Sequence, residues 1–435
     1  MHGLGFLTAP ILGDAEIEAC LSKSAFVAAM GVFEAALAAS QAELGIVSVS
    51  GARAVQELVQ KGLTLEAPTL AQGVAEAGVP VPALLAAMRA DLSDEGREAL
   101  HWGATSQDVV DTALCLLYRD ALDVIEARLG SLIETLKTQS EQYSKTPMLA
   151  RTRGQLATPI TFGLRVATWA RPLIELEAEL PALRGRALRV QFGGASGSQC
   201  VVAPHGAAIS AALAERLGLA DAPPWFTDRS GMTALAAWLG RLVAALAKMG
   251  RDIVEMSRGE VAELRAGASG GSSTMPHKAN PVTAEALITA HAAAQGHLSE
   301  LGAAALHGEE RDGGAWAVEW SALPALFTIA GAASRQAGTL ASDLRPDSER
   351  MRTRIEETPA VWAEAATFAL AEHLGREAAK TAVQQALSAP MPSVEEFAAA
   401  LQIATGYDVS SALVMGQTSE PAQAVSSRIF ALRER

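Results

Sequence analysis

Between Asp108 and Tyr143 the chain has no proline and a single glycine, Gly130. Its apolar residues fall on one stripe: Val110, Leu114, Leu117 and Ala121, then Ile125, Leu129, Leu132 and Leu136. Steps of four and three at this regularity describe the seam of a long helix packed at a shallow angle in a bundle. Four further segments share the character: Pro159–Val190, Arg229–Arg265, Pro281 to about Leu306, and Glu319 to about Leu344. Helices of about 25–40 residues extend roughly 40–60 Å. One monomer cannot cover five of them, so the pattern predicts a homo-oligomer sharing a central bundle.

Upstream, Asp14–Leu44 reads as another long helix, with Phe26, Met30, Phe33, Leu37 and Leu44 near helical spacing. Shorter pieces follow, broken by Gly62, Pro68, Gly78, Pro80 and Pro82. Alternating apolar runs long enough for an extensive sheet are absent, and Gly193–Gly197 is the clearest internal turn or short-strand region. After Pro346 the helices shorten, with breaks near Pro359, Gly375, Pro390-Met391-Pro392 and Gly406. The expected fold class is all-α, in three mostly helical domains: 1–105, 106–345 and 346–435. Composition agrees, because apolar residues reach 49% and aromatics only 5%, which suits close helix–helix contact.

A formal charge of −13 argues against nucleic acid or an anionic membrane surface as partner. It leaves open a small anionic substrate held by a local group of cations. Cys20, Cys115 and Cys200 lack metal or disulfide spacing and read as free, buried thiols of a cytoplasmic protein. No basic leader precedes an apolar run at the N-terminus, and no uncharged stretch reads as a membrane span.

Four polar interruptions beside the long helices are candidates for chemistry. His101-Trp102-Gly103-Ala104-Thr105-Ser106-Gln107-Asp108 suits a helix start, with Thr105 or Ser106 as cap and Asp108 in the first turn. Free N–H groups and hydroxyls there equally make a carboxylate site. Arg151-Thr152-Arg153-Gly154-Gln155 is either a solvated turn or an anion clamp. Glu309-Glu310-Arg311-Asp312-Gly313-Gly314 is either a charged turn or a source of a substrate-facing Arg311. The fourth is Gly271-Ser272-Ser273-Thr274-Met275-Pro276-His277-Lys278-Ala279-Asn280-Pro281. A plain Gly/Ser linker does not end in Met-Pro-His-Lys-x-Asn-Pro, and the spacing is not that of a phosphate-binding loop.

Together these segments resemble the fumarase/aspartase superfamily. The last matches its signature G-S-S-x-M-P-x-K-x-N-P at every specified position, and the Thr105-Ser106-x-Asp108 and Arg151-Thr152 segments stand in the expected order. The resemblance covers about residues 10–350 and implies a homotetramer with a twenty-helix core and active sites shared between subunits. It implies that Ser272 moves the α-proton, its loop closing over substrate, and that Lys278 and Asn280 hold an aci-carboxylate. It implies further that Thr105, Ser106, Arg151, Thr152, Arg153, Gln155, Ser273, Met275, Glu285 and Arg311 line the substrate, and that His101 positions a carboxylate or serves as a secondary acid. Neither metal nor organic cofactor is expected.

One departure from the family pattern narrows the chemistry. Many members carry Thr-His in the second segment, the His partnering a glutamate seven residues beyond the loop lysine. Here that glutamate is Glu285, but the His position is Arg153. A permanently charged guanidinium is a very poor proton donor. An amine or alkoxide leaving group needs a proton, whereas a carboxylate, with a pKa of about 4, does not. The resemblance therefore points to the branch in which a substrate carboxylate adds to its own double bond and closes a lactone, with a small polycarboxylate as substrate. Segments Gln191–Ala195, Glu310–Trp316, Glu319-Trp320 and Leu323-Pro324 also look like that branch. Adenylosuccinate lyase and other β-eliminating members are the alternatives, with a non-catalytic structural protein of the same fold more remote.

Overall fold

The structure, a computed structural model, describes residues 5–266, 270–271, 275 and 279–434. Helices dominate it, and strands among the described residues are confined to three two-stranded antiparallel sheets. The all-α expectation therefore holds. Five long helices span Ser106–Gln142, Phe162–Ala187, Ser230–Ser257, Val282–Ala304 and Gly313–Ser342. The longest has 37 residues and the shortest 23, or roughly 55 and 35 Å at 1.5 Å per residue.

Four boundaries differ from the sequence reading, each for a local reason. Asp14–Leu44 is two helices, Ala15–Cys20 and Lys23–Glu43; the Asp14 and Ser22 side chains cap them, accepting from the amides of Ile17 and Ala25. Pro159 does not open a helix. It lies in the strand Gln155–Thr161, beside an irregularity in the pairing with Pro147–Thr152, where its missing N–H is tolerated. The third long helix stops at Ser257; Ala262 then turns through φ 53°, and Leu264–Ala266 pairs with Leu344–Pro346. The fifth starts at Gly313, before the expected Glu319, because the Asp312 carboxylate accepts from the amides of Gly314 and Ala315, each at 3.0 Å.

Two compact units emerge: one comprises the chain up to Arg128 with Glu179–Ala244 and Thr289–Ser334, the other Leu129–Ala178, Ala245–Ile288 and Arg335–Arg435. Each long helix contributes residues to both. The first unit has a core that includes Met30, Phe33, Leu37, Val110, Phe192 and Trp316; a core of the second includes Leu149, Trp362, Phe397 and Leu401. Lys23–Glu43 and Ser230–Ser257 are long and apolar enough to cross a membrane by composition, yet 67% and 61% of their apolar windows are buried in the protein. Their hydropathy is that of core helices. Of the three free cysteines only Cys115 is buried, and burial pushes its thiol up to about 12; Cys200, expected inside, is exposed.

Candidate active site

In the first unit, Thr105 precedes the first long helix and Asp108 occupies its third position. The Asp108 Oδ2 atom accepts from the Thr105 amide at 2.9 Å, one half of a capping box. The same carboxylate reaches across the fold, accepting from the amides of Gly193 at 2.8 Å and Gly194 at 3.0 Å. Gly194 has φ 70°, and a Cβ there would meet the Gly103 carbonyl oxygen at 3.0 Å, so the loop can approach this closely only as glycine. Burial pushes the Asp108 carboxyl up to about 7, against the opposing pull of these three amides and of nearby His101. Thr105 and Ser106 are half-buried at this entry.

One turn on, Asp111 belongs to a buried ion network. Arg229 donates from Nη1 to Asp111 at 2.9 Å and from Nε and Nη2 to Glu319 at 2.9 and 2.5 Å. Trp316 Nε1 donates to Asp111 at 2.9 Å, and the Trp225 ring lies under the guanidinium at 4.8 Å. Burial opposes the charge of Arg229, but the two carboxylates outweigh it and hold its pKa above the ordinary arginine value. His307, with Nε2 at 3.6 Å from Glu319, is pushed below its ordinary pKa by burial and then by Arg229.

Arg311 is held differently. Its Nε donates to Gln107 Oε1 at 3.0 Å, its Nη2 donates to the Ala195 carbonyl at 3.3 Å, and its guanidinium lies 5.3 Å over the Phe226 ring. All three partners are neutral. Arg311 is thus an oriented, exposed cation with no carboxylate among the described residues. His101, at φ 61°, meets the buried Glu34 through Nδ1 at 2.6 Å.

In the second unit, Arg151-Thr152-Arg153-Gly154-Gln155 is the tip of a hairpin. Thr152 pairs with Gln155, and Arg153 and Gly154 turn the chain at φ 54° and 79°. Positive φ at both turn positions matches the twist of the flanking strands. Arg151 gives both Nη groups to Glu263, at 2.7 and 2.6 Å, so its charge is matched within the unit. Thr152, Arg153 and Gln155 are exposed, and Arg153 makes no ion pair with a described residue.

The signature loop belongs to the second unit. Gly270–Gly271 pairs with Ala279–Asn280, placing Asn280, half-buried, opposite Gly270. Ser272, Ser273 and Lys278 lie outside the described residues, and Met275 is exposed. Glu285 is exposed in the first turn of the helix Val282–Ala304. No group of three or more His, Cys, Asp or Glu able to hold a metal occurs among the described residues.

The candidates therefore form two groups: His101, Thr105, Ser106 and Arg311 in the first unit, Arg151–Gln155, Met275, Asn280 and Glu285 in the second. Sequence reasoning passed over Glu34, Asp111 and Glu319 as functional groups. For Glu34 a signal existed: it lies four residues after Met30 and three before Leu37, on the face of its helix that the apolar spacing marks as core. Glu319 stood out only as part of the Glu319-Trp320 segment, and Asp111 not at all, since their shared partner Arg229 is far away in sequence.

The sequence profile of the lyase family matches residues 13–296. A 3-carboxy-cis,cis-muconate cycloisomerase of Pseudomonas aeruginosa is 40% identical over 361 residues, covering 81% of this chain and 78% of its own. A nitrosuccinate lyase of Streptomyces davaonensis is 35% identical over 81% of this chain and 77% of its own. The crystal structure of the 3-carboxy-cis,cis-muconate lactonizing enzyme from Pseudomonas putida superposes with a TM-score of 0.88 at 34% identity, covering 99% of both chains. By its signature loop, its helical fold and these relatives, the chain belongs to the lyase family of the fumarase/aspartase superfamily.

Proposed function

We propose that the chain is a 3-carboxy-cis,cis-muconate cycloisomerase of aromatic-acid catabolism, acting in the cytoplasm as a homotetramer. One substrate carboxylate oxygen forms a C–O bond to the conjugated double bond. The π electrons pass to the neighbouring carbon and its carboxylate as an aci-carboxylate, and Ser272 then donates the proton that this carbon takes up, leaving 4-carboxymuconolactone. Lys278 and Asn280 stabilise the aci-carboxylate, the point at which charge develops. Thr105, Ser106, Thr152, Gln155, Ser273 and Met275 line the substrate, and His101 orients a carboxylate or relays a proton.

The observation that carries the reading is Arg153, an exposed cation with no ion pair among the described residues, at the hairpin tip where eliminating members of the family need an acid. Arg153 and Arg311 each present a charge with no carboxylate partner among the described residues, as recognition of a trianion requires; Arg151, matched by Glu263, anchors the hairpin. The names of the Pseudomonas relatives above support the same reaction. The separation of the candidates into two units suits active sites completed by different subunits.

The test is an ultraviolet assay on purified protein. The conjugated absorbance of 3-carboxymuconate is expected to disappear, and Ser272→Ala to abolish the loss. Cleavage of adenylosuccinate or nitrosuccinate without turnover of the muconate would overturn the proposal in favour of β-elimination.

A further inference from the structure

A carboxylate inside a helix core is expensive, and Glu34 is fully buried in the helix Lys23–Glu43 among Met30, Phe33 and Leu37. Its single hydrogen bond among the described residues joins Oε1 to His101 Nδ1 at 2.6 Å, and Oε2 has no partner. Seven residues on, along the same face, the equally buried Gln41 donates from Nε2 to the Trp102 carbonyl at 2.7 Å. One helix thus grips two consecutive residues of the His101–Asp108 segment with two buried polar side chains. His101 is held at φ 61°, a left-handed conformation that costs energy outside glycine and persists only when its surroundings impose it.

We propose that Glu34 is a positioning residue for His101. The carboxylate accepts the Nδ1 proton, fixes the tautomer and the ring plane, and leaves Nε2 as the nitrogen that meets substrate. His101 Nε2 has no partner among the described residues and is not sealed from solvent. The logic is that of any histidine whose working nitrogen is set by what its other nitrogen binds. It rests on the reading of His101 as a group that touches substrate. It further explains why a buried carboxylate with one orphaned oxygen is kept: Glu34 works through the histidine, and folding does not require it.

Two variants and two readouts test this. Glu34→Gln is expected to lower kcat about tenfold or more, with KM within about twofold, and to cause no further loss in a His101→Gln background. Multiplicative losses in the double variant, or an unchanged kcat, would overturn the proposal. Glu34→Leu removes the buried charge and is expected to be at least as thermally stable as the parent, yet as slow as Glu34→Gln; a Leu variant that is destabilised but catalytically normal would make Glu34 purely structural. The second readout needs no substrate. In 15N-histidine spectra of the full chain, the resonances lost in His101→Gln should report a protonated Nδ1, and Glu34→Leu should remove that preference. An Nε2–H tautomer in the parent would sink the idea. Absence of muconate turnover by the parent would overturn the proposed reaction alone, since the tautomer still decides the pair.

Discussion

The helix-entry region of the first unit and the hairpin of the second both carry arginines, and they treat them oppositely. At the helix entry, Arg229 is buried and neutralised twice, by Asp111 and Glu319, while Arg311 is exposed and, among the described residues, meets neutral acceptors and a phenyl ring. At the hairpin, Glu263 neutralises Arg151, whereas Arg153, two residues on, has no ion pair among the described residues. Each region thus spends one arginine on its own architecture and presents one outward. The number of arginines near a site is therefore a poor count of the cations available to an anion; their internal partners decide.

The comparison breaks most visibly at Arg229. Arg229→Met should cost about 3–5 kcal/mol of stability, because it strands Asp111 and Glu319 as unpaired buried charges. Denaturant titration checks this; a loss below 1 kcal/mol would mean the network is not coupled as its distances imply.

Asp108 gives the next effect, through pH. Its native carboxyl is pushed up to about 7, above the ordinary 3.8, so the folded state holds the proton longer than the unfolded chain. Stability then falls as pH rises from about 4 to about 7 and levels off above, by up to about 4 kcal/mol. Asp108→Asn should remove this component of the slope, read as the difference between the two proteins' denaturation profiles. A wild-type contribution rising with pH would show that the three amide donors outweigh burial.

Arg311→Met tests the presented cation. We expect kcat/KM to fall about a hundredfold, equivalent to about 2.7 kcal/mol of transition-state binding, with stability changed by less than about 0.5 kcal/mol. An equal loss of stability would place Arg311 with Arg229 instead. The smallest effect belongs to Arg153→His, which removes the other presented cation and should lower kcat/KM about tenfold without improving lactonisation, since a carboxylate needs no proton donor at that position; a large gain would sink the leaving-group argument.

How far the chain was legible from its letters depended on the range of the interactions. The seam from Val110 to Leu136 marks a helix because its cause is local periodicity. The ends of helices were misjudged where a distant strand intervened. Pro159 has a helix-opening sequence context, yet Pro147–Thr152 captures it as a strand; Arg265 looks helical, yet it pairs with Arg345. In the candidate site, the polar segments stood out by residue type, and Glu34 was visible as a charge in an apolar face. Its service to His101, 67 positions away, was not.

The sequence by itself determined the long-helix architecture and the superfamily, because periodicity and motif spacing are properties of the chain. Only the tertiary structure decided which arginines are neutralised, that Asp108 ties Gly193 and Gly194 to the helix entry, and that His101 is held by Glu34. Those outcomes depend on burial and on contacts between residues remote in sequence.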